Sequence, residues 1–330
     1  MMTFLILLQA TLAIAVSGPY TSPEYLLLRA ALAEGSFAKE GLRVSLSTAR
    51  GETGAAEALS QGTAVLAATS LGAALRHASV GGQPPRLVFG LTGVPPSALL
   101  VPVAHRDSIK TLPDLRGKTV GVVSPGNPEE PFLVALLSRF GIRLNQVNAV
   151  SLGERGLVSA LERGEIHAGL IGEPWATRLV EEGKAGILAD FRRLGEAAGA
   201  LGGPTVHAAI FARGDTLPGA DQLVPLARAL VNALHRVETA STEELAGRLP
   251  SRVVGLPDDF RIRHRAARGI ALPRGWVTSE ALERSIELLS IRSPLPRSIT
   301  LPRRPGELLS LGAVRKVLEE LREGGASPSE

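Results

Sequence analysis

Cysteine is absent from the 330-residue chain. That excludes disulfides, thiolate catalysis, iron–sulfur ligation and a lipidated N-terminal cysteine, and leaves the compartment open. Aromatics are scarce, with two Tyr, two Trp and eight Phe. Lysine occurs only at Lys39, Lys110, Lys118, Lys184 and Lys316, so the net charge of +4 and the pI near 9.8 come from dispersed arginine. The densest basic cluster, Arg261, Arg263, His264, Arg265 and Arg268, lacks interleaved aromatics and reads as a solvated helix face, so no nucleic-acid partner is expected. The six histidines show no pair at helical metal-ligand spacing, and HExxH, Walker A and GxSxG motifs are missing. These absences point to a chain with no metal, no cofactor, no catalytic residue and no enzymatic activity.

What is present suits two domains, or one domain with an insertion, around a substantial core: 45% of residues are hydrophobic and 21% charged. Met1–Val16 has the length of a signal-peptide apolar region, with Ala13-Ile14-Ala15 as a cleavage site, yet no Lys or Arg precedes it and it is too short to span a membrane. Cleavage there would remove part of Thr11–Ser17, which reads as the first core strand. Met1–Gln9 is then an extension or a mis-assigned start.

The chain alternates from there. Ser22-Pro23-Glu24 opens a helix running to Gly35, Arg43–Ser47 is a strand, and Thr53 caps a helix ending near Gly62. Strand Ala64–Ala68 ends at Thr69-Ser70, where Ser70 caps Leu71–Ser79. Strands Leu87–Leu91 and Ala98–Val103 follow. After Asp107 the pattern restarts with strand Thr119–Val123 and helix Glu129–Phe140. Strand Asn148–Ser151, helix Glu154–Arg163, strand Ile166–Ile171 and helix Pro174–Glu182 come next. Gly186–Ala189 is a short strand, Gly195–Gly203 a glycine-rich closing stretch, and Thr205–Arg213 another strand. From Pro218 the chain is mostly helical, with a disordered tail over Glu323–Glu330. The alternation predicts α/β architecture with mainly parallel sheets flanked by helices. An internal echo pairs Ala58–Gly62, a strand and Thr69-Ser70 with Ala160–Gly164, a strand and Gly172-Glu173.

Leu112–Leu137 concentrates the functional signal. A buried strand stops at Ser124-Pro125-Gly126-Asn127-Pro128, and Glu129-Glu130-Pro131 opens a helix, the geometry in which open α/β sheets present ligands to backbone N–H groups.

At Gly35–Val44, Leu112–Val123 and Ala160–Trp175 the sequence resembles the solute-binding proteins of ABC importers for taurine, alkanesulfonates, nitrate and thiamine-pyrimidine precursors. The resemblance covers roughly Thr11–Glu238. It implies the type II periplasmic-binding-protein fold, a two-lobed clamp with a helical C-terminal region. Lobe I would hold residues 1–101 and 207–330, and the inserted lobe II residues 102–206, joined by crossing strands near Leu100 and Thr205. It further implies an extracytoplasmic monomer that binds a small organic solute between its lobes and presents it to a transmembrane permease. The implied ligand contacts are Gly18, Tyr20, Arg50, Gly51, Thr53, Thr69, Ser70, Ser124, Gly126, Asn127, Gly172, Glu173 and Trp175.

Each contact has a structural rival. Tyr20 and Trp175 stack on a planar ligand or pack across the lobe junction, and Arg50 pairs with a ligand acid or with Glu52. Thr53 and Ser70 are helix caps first, Glu173 serves a ligand amine or its helix dipole, and His207 reads as a hinge or core histidine. Pro128 and Pro131 delete N–H groups where Glu129 and Glu130 add charge, which disfavours a small inorganic anion and favours an organic, heteroaromatic or zwitterionic solute. Two alternatives stay open: a cofactor-biosynthesis lyase or pyrimidine-synthase-like enzyme on the same fold, with Glu173 or His207 as acid–base group, and an intracellular ligand sensor. The cysteine-rich segment of the related pyrimidine synthases is absent, which argues against the first.

Overall fold

The computed structural model describes residues 11–81, 83–292, 295, 299 and 301–325. The expectations for Met1–Gln9 and for the tail beyond Gly325 lie outside these residues. Among the described residues ten strands form two five-stranded sheets: β1 Leu12–Ser17, β2 Val44–Ala49, β3 Leu66–Ser70, β4 Arg86–Thr92, β5 Ser97–Pro102, β6 Thr119–Val122, β7 Asn148–Ser151, β8 Ala168–Gly172, β9 Ala185–Asp190 and β10 Ala208–Ala212.

The first sheet has the order β2-β1-β3-β10-β4 and the second β7-β6-β8-β5-β9. In each, the first three strands run parallel and the fourth is antiparallel to both its neighbours. That fourth strand arrives from the other half of the chain. The expected boundary at Val101 therefore falls inside β5, whose side chains are buried between β8 and β9 in the second sheet. A strand buried at every residue, such as Ser97–Pro102, needs partners on both edges, and β10 already fills the corresponding place beside β4. The echo in the sequence pairs β3 with β8, each third in its sheet.

Helices cover both sheets. Ala220–Thr239 packs its apolar face on Leu26–Ala33 and on Gly312–Gly325. Ser279–Arg292 spans the halves, giving Leu282, Ile286 and Leu289 to the core of the first sheet and Leu288 to that of the second.

Three local expectations are corrected. Leu194–Leu201 of the glycine-rich stretch is a helix, because alanine and leucine dominate it and Gly202 ends it in the left-handed region. The basic cluster is only half solvated: on helix Pro257–Ile270, Arg263 and His264 are buried. Arg263 donates to the carbonyls of Thr21, Val253 and Val254, while His264 bonds the Val237 carbonyl and the Thr242 hydroxyl. Helix Gly312–Gly325 also carries ordered structure three residues into the stretch expected to be a disordered tail.

Candidate functional site

A cavity of about 1170 Å³ opens between the two sheets, at the C-terminal ends of their parallel strands. Open α/β sheets place ligand sites there, because loops from several strands converge while helix N-termini point inward. Gly18 follows β1, Arg50, Gly51 and Thr53 follow β2, and Ser70 ends β3. Opposite them stand Ser124, Gly126 and Asn127 after β6, and Gly172, Glu173 and Trp175 at the end of β8. Two of these loops depend on glycine. A Cβ on Gly18 would sit 2.8 Å from the Ala49 carbonyl oxygen, and Gly126 turns at φ 72°. Helices from after β10 close the remaining wall with Asp259, Arg263, Ser285, Leu288 and Leu289.

Tyr20 and Thr69 are outside this wall. Tyr20 lies between the guanidinium groups of Arg29 and Arg252, each 4.7 Å from its ring centroid, and packs on the helical cluster around Phe260. Thr69 donates its hydroxyl to the backbone oxygen and the carboxylate of Glu52.

Glu52 organises the first wall. Its carboxylate accepts the Tyr25 hydroxyl at 2.9 Å, the Thr69 hydroxyl at 2.8 Å, the Ser17 hydroxyl at 3.3 Å and the Ser70 backbone N–H. It does not pair with Arg50, which stands exposed as N-cap of helix Gly51–Ser60. Thr53, expected as that cap, is inside the helix instead. The chain turns into the helix at Gly51, whose φ of 71° lies in the left-handed region. Ser70 does cap Leu71–His77, accepting the Ala73 N–H.

The opposite wall repeats the arrangement. Glu130 accepts the Gly126 N–H at 2.6 Å, and Asn127 Oδ1 accepts the Glu130 N–H at 2.9 Å. Glu173 accepts the Thr177 N–H at 3.0 Å and the Thr177 hydroxyl at 2.6 Å, and takes Arg192 at 3.1 Å, with a side chain only 2% exposed. Two backbone donors on the cavity wall, at Ser70 and Gly126, are thus occupied by the chain's own carboxylates, and Glu173 is held by Thr177 and Arg192 behind the wall. Trp175 is anchored by donating its indole N–H to Glu154, with Arg178 over its ring.

Burial pushes the Glu24 carboxyl up to about 7, helped by the like charges of Glu52 and Glu129 and opposed by the hydroxyl of Ser22. Burial likewise raises Glu129 to about 7, with Glu52 and Glu154 as like-charged neighbours. Desolvation raises the Tyr25 phenol well above its usual value, with Glu52 and Glu24 beside it. His207, 3% exposed on the segment entering β10, is pushed down to about 3 by burial and is neutral. Its ring meets the edge of Phe132 at 5.4 Å, and its Nε2 is 4.0 Å from Glu24 Oε1. Among the described residues no group of three or more His, Cys, Asp or Glu is placed to hold a metal ion.

Sequence reasoning overlooked Glu24 and Asp259, and used Glu52 only as a partner for Arg50. A carboxylate in the first turn of a helix reads as dipole complement, and the linear sequence does not carry the fact that these groups meet across a cavity.

A model of the family described as NMT1/THI5 like matches residues 22–197. No curated protein sequence matches the chain. Among solved structures, the periplasmic aliphatic sulphonate-binding protein SsuA of Escherichia coli aligns at 18% identity over 89% of this chain and 91% of that one, with a TM-score of 0.68. The periplasmic nitrate-binding protein NrtA of Synechocystis PCC 6803 aligns at 13% over 97% and 91%, with a TM-score of 0.63. The desulfurization enzyme DSZB aligns at 16% over 94% and 99%, with a TM-score of 0.61. At these identities the likeness is one of fold: two sheets flanked by helices, in the periplasmic-binding-protein arrangement, found in binding proteins and in an enzyme.

Proposed function

The chain belongs to the NMT1/THI5-like family, and we propose that it is the substrate-binding subunit of an ABC importer, taking a small organic solute between two closing lobes. The observation that carries this reading is the position of the cavity: its walls come from both sheets, and the sheets are linked where each receives one strand from the other half. The first lobe is the first sheet with the chain after β10, and the second lobe is the second sheet with its helices. The links near Gly93 and Thr205 are tied together by the Thr205 hydroxyl on the Gly93 carbonyl at 2.7 Å, which suits a hinge. The ligand-contact role falls on Gly18, Arg50, Gly51, Thr53, Ser70, Ser124, Gly126, Asn127, Gly172, Glu173 and Trp175, with Glu173 acting through its hold on Thr177 and Arg192. Binding shifts the population toward the closed form, which a membrane permease outside the cytoplasm then engages as its partner.

Thermal melting against a panel of sulfonates, pyrimidines, nitrate and amino acids tests this. Any solute bound at a hundredfold excess over Kd stabilises the folded chain by about 2.7 kcal/mol. A melt that no member of the panel moves removes the support.

Catalysis on the same frame requires an acid or base free to act. Glu173 is committed to Thr177 and Arg192, and neutral His207 is a weak base. Product formation lost in Glu173→Gln, with solute binding retained, would favour the enzyme.

A further inference from the structure

We propose that the buried end of the solute is an organic cation, a protonated amine or an amidinium, seated between Glu24 and His207 with Glu129 and Glu52 around it, and that sulfonate and nitrate are not taken there. This rests on the reading of the cavity as the solute site.

The first support is what the cavity withholds from an anion. Backbone N–H groups at loop ends and helix N-termini are the usual anion cradle. Here Glu52 takes the Ser70 N–H, Glu130 the Gly126 N–H and Glu173 the Thr177 N–H. Ser70 and Gly126 line the cavity, so an anion entering there would have to displace a carboxylate from each.

The second support is a gap between two acceptors. His207 lines the cavity and is 3% exposed, and neither of its ring nitrogens has a hydrogen-bond partner among the described residues. The 4.0 Å between Nε2 and Glu24 Oε1 is too long for a hydrogen bond. A nitrogen placed about 2.8 Å from each would subtend about 90°, within about 20° of the tetrahedral angle, so an ammonium donates to both with each bond bent by about 10°. Held neutral, His207 accepts such a donor through its lone pair. Beside it Phe132, Leu288 and Leu289 receive the apolar remainder of the solute.

The charges facing this point are accounted for. Glu52, Glu129 and Glu154 act on Glu24 or on one another as like charges. Arg263 is spent on three backbone carbonyls, Arg76 donates to the carbonyls of Gly72 and Leu289, and Asp259 is paired with Arg178. Arg50 and His77 complete the lining. Arg50 is exposed, so an acidic group at the far end of a zwitterionic solute has a partner there.

Glu24 and Glu129 are part-protonated near neutrality, so a cation that binds them expels protons. The test is calorimetric titration of the full chain with benzamidine, phenethylamine, benzenesulfonate and nitrate, at pH 8 and pH 6 and in two buffers of different ionisation enthalpy. The expected result is binding of a cationic probe, weakened about tenfold or more at pH 6 and in Glu24→Gln, with a buffer-dependent heat that reports proton release. Benzenesulfonate and nitrate leave no heat. If either anion binds and raises the melting temperature, this inference is overturned while the solute-site reading stands. Silence from all four probes overturns both. Should Glu24→Gln fail to fold, Glu129→Gln and the wild-type buffer dependence still decide: a cation that binds with equal affinity at both pH values, and with no proton release, contradicts the proposal.

Discussion

The carboxylate of Glu52 accepts the backbone N–H of Ser70, so the residue that opens one cleft helix fills the donor position that opens the next. The same group takes the hydroxyls of Tyr25, Thr69 and Ser17. Glu52→Ala should therefore leave a fully buried phenol and the Ser70 N–H without an acceptor, while Thr69 keeps the backbone oxygen, and cost about 2–4 kcal/mol, whereas Glu52→Gln keeps one oxygen and costs roughly half as much. Urea denaturation of the two variants measures the difference. Equal, negligible losses would mean that the network carries no stability.

Arg263 ties the C-terminal helices to the loop after β1 by donating to Thr21, Val253 and Val254 carbonyls. Burial lowers its pKa, yet it remains a cation. Arg263→Ala is expected to destabilise the chain by about 2–4 kcal/mol through three orphaned carbonyls. Arg263→Lys, a point donor in place of a planar fork, should recover only part of that loss. Denaturant midpoints report both.

Glu24 predicts a pH dependence of known sign. Its folded pKa is about 7 against 4.5 for the free group. The stability it contributes is complete below 4.5 and is lost as pH rises through 7. His207 works the other way: lowered from 6.5 to about 3, it contributes above 6.5 and loses its contribution as pH falls. The two oppose each other between pH 4.5 and 6.5, so the informative quantity is wild type minus Glu24→Gln. That difference should fall by about 1–3 kcal/mol from pH 4.5 to pH 8 in ligand-free protein. A flat difference means that Glu24 is solvated.

Asn127→Ala removes the side-chain acceptor of the Glu130 N–H and leaves it only the Asn127 backbone oxygen at 3.2 Å. It should cost about 0.5–2 kcal/mol of apo stability, more than a purely ligand-facing residue would. If stability is unchanged while solute affinity falls, the side chain serves the ligand alone.

Arg178 Nη2 meets Asp259 Oδ1 at 2.5 Å, joining the helix after β8 to helix Pro257–Ile270 across the cleft. A double-mutant cycle with Arg178→Ala and Asp259→Ala should give a coupling of about 0.5–1 kcal/mol, since both groups are partly exposed. X-ray scattering of the variants should show a larger radius of gyration as the lobes part. No change in either would reduce the pair to surface decoration.

Much of the fold was legible because local signals agreed with it. The strand beginning at Leu12, the cap at Ser70, and the strand–loop–helix around Ser124–Glu130 follow from apolar runs, cap chemistry and proline placement. The exchange of β5 and β10 between sheets left no local mark, because a strand buried on both faces reads the same in either sheet. Eleven of the thirteen expected contact residues line the cavity, since strand ends can be found from the sequence. Tyr20 and Thr69 are turned away by Arg29 and Arg252 and by Glu52, partners that sit on helices and meet them only in the fold. Glu24 and His207 were missed as a pair because 183 residues separate them and only the fold brings them to 4.0 Å.

The central claim is that solute binding closes two lobes. Because the chain has no cysteine, Gln61→Cys, at the end of helix Gly51–Ser60 before β3, and Glu162→Cys, on the helix before β8, give two unique labelling sites, one on each half. Energy transfer between dyes there should rise saturably with any solute that raises the melting temperature, and with the same Kd. A solute that stabilises the protein and leaves transfer unchanged would contradict the account.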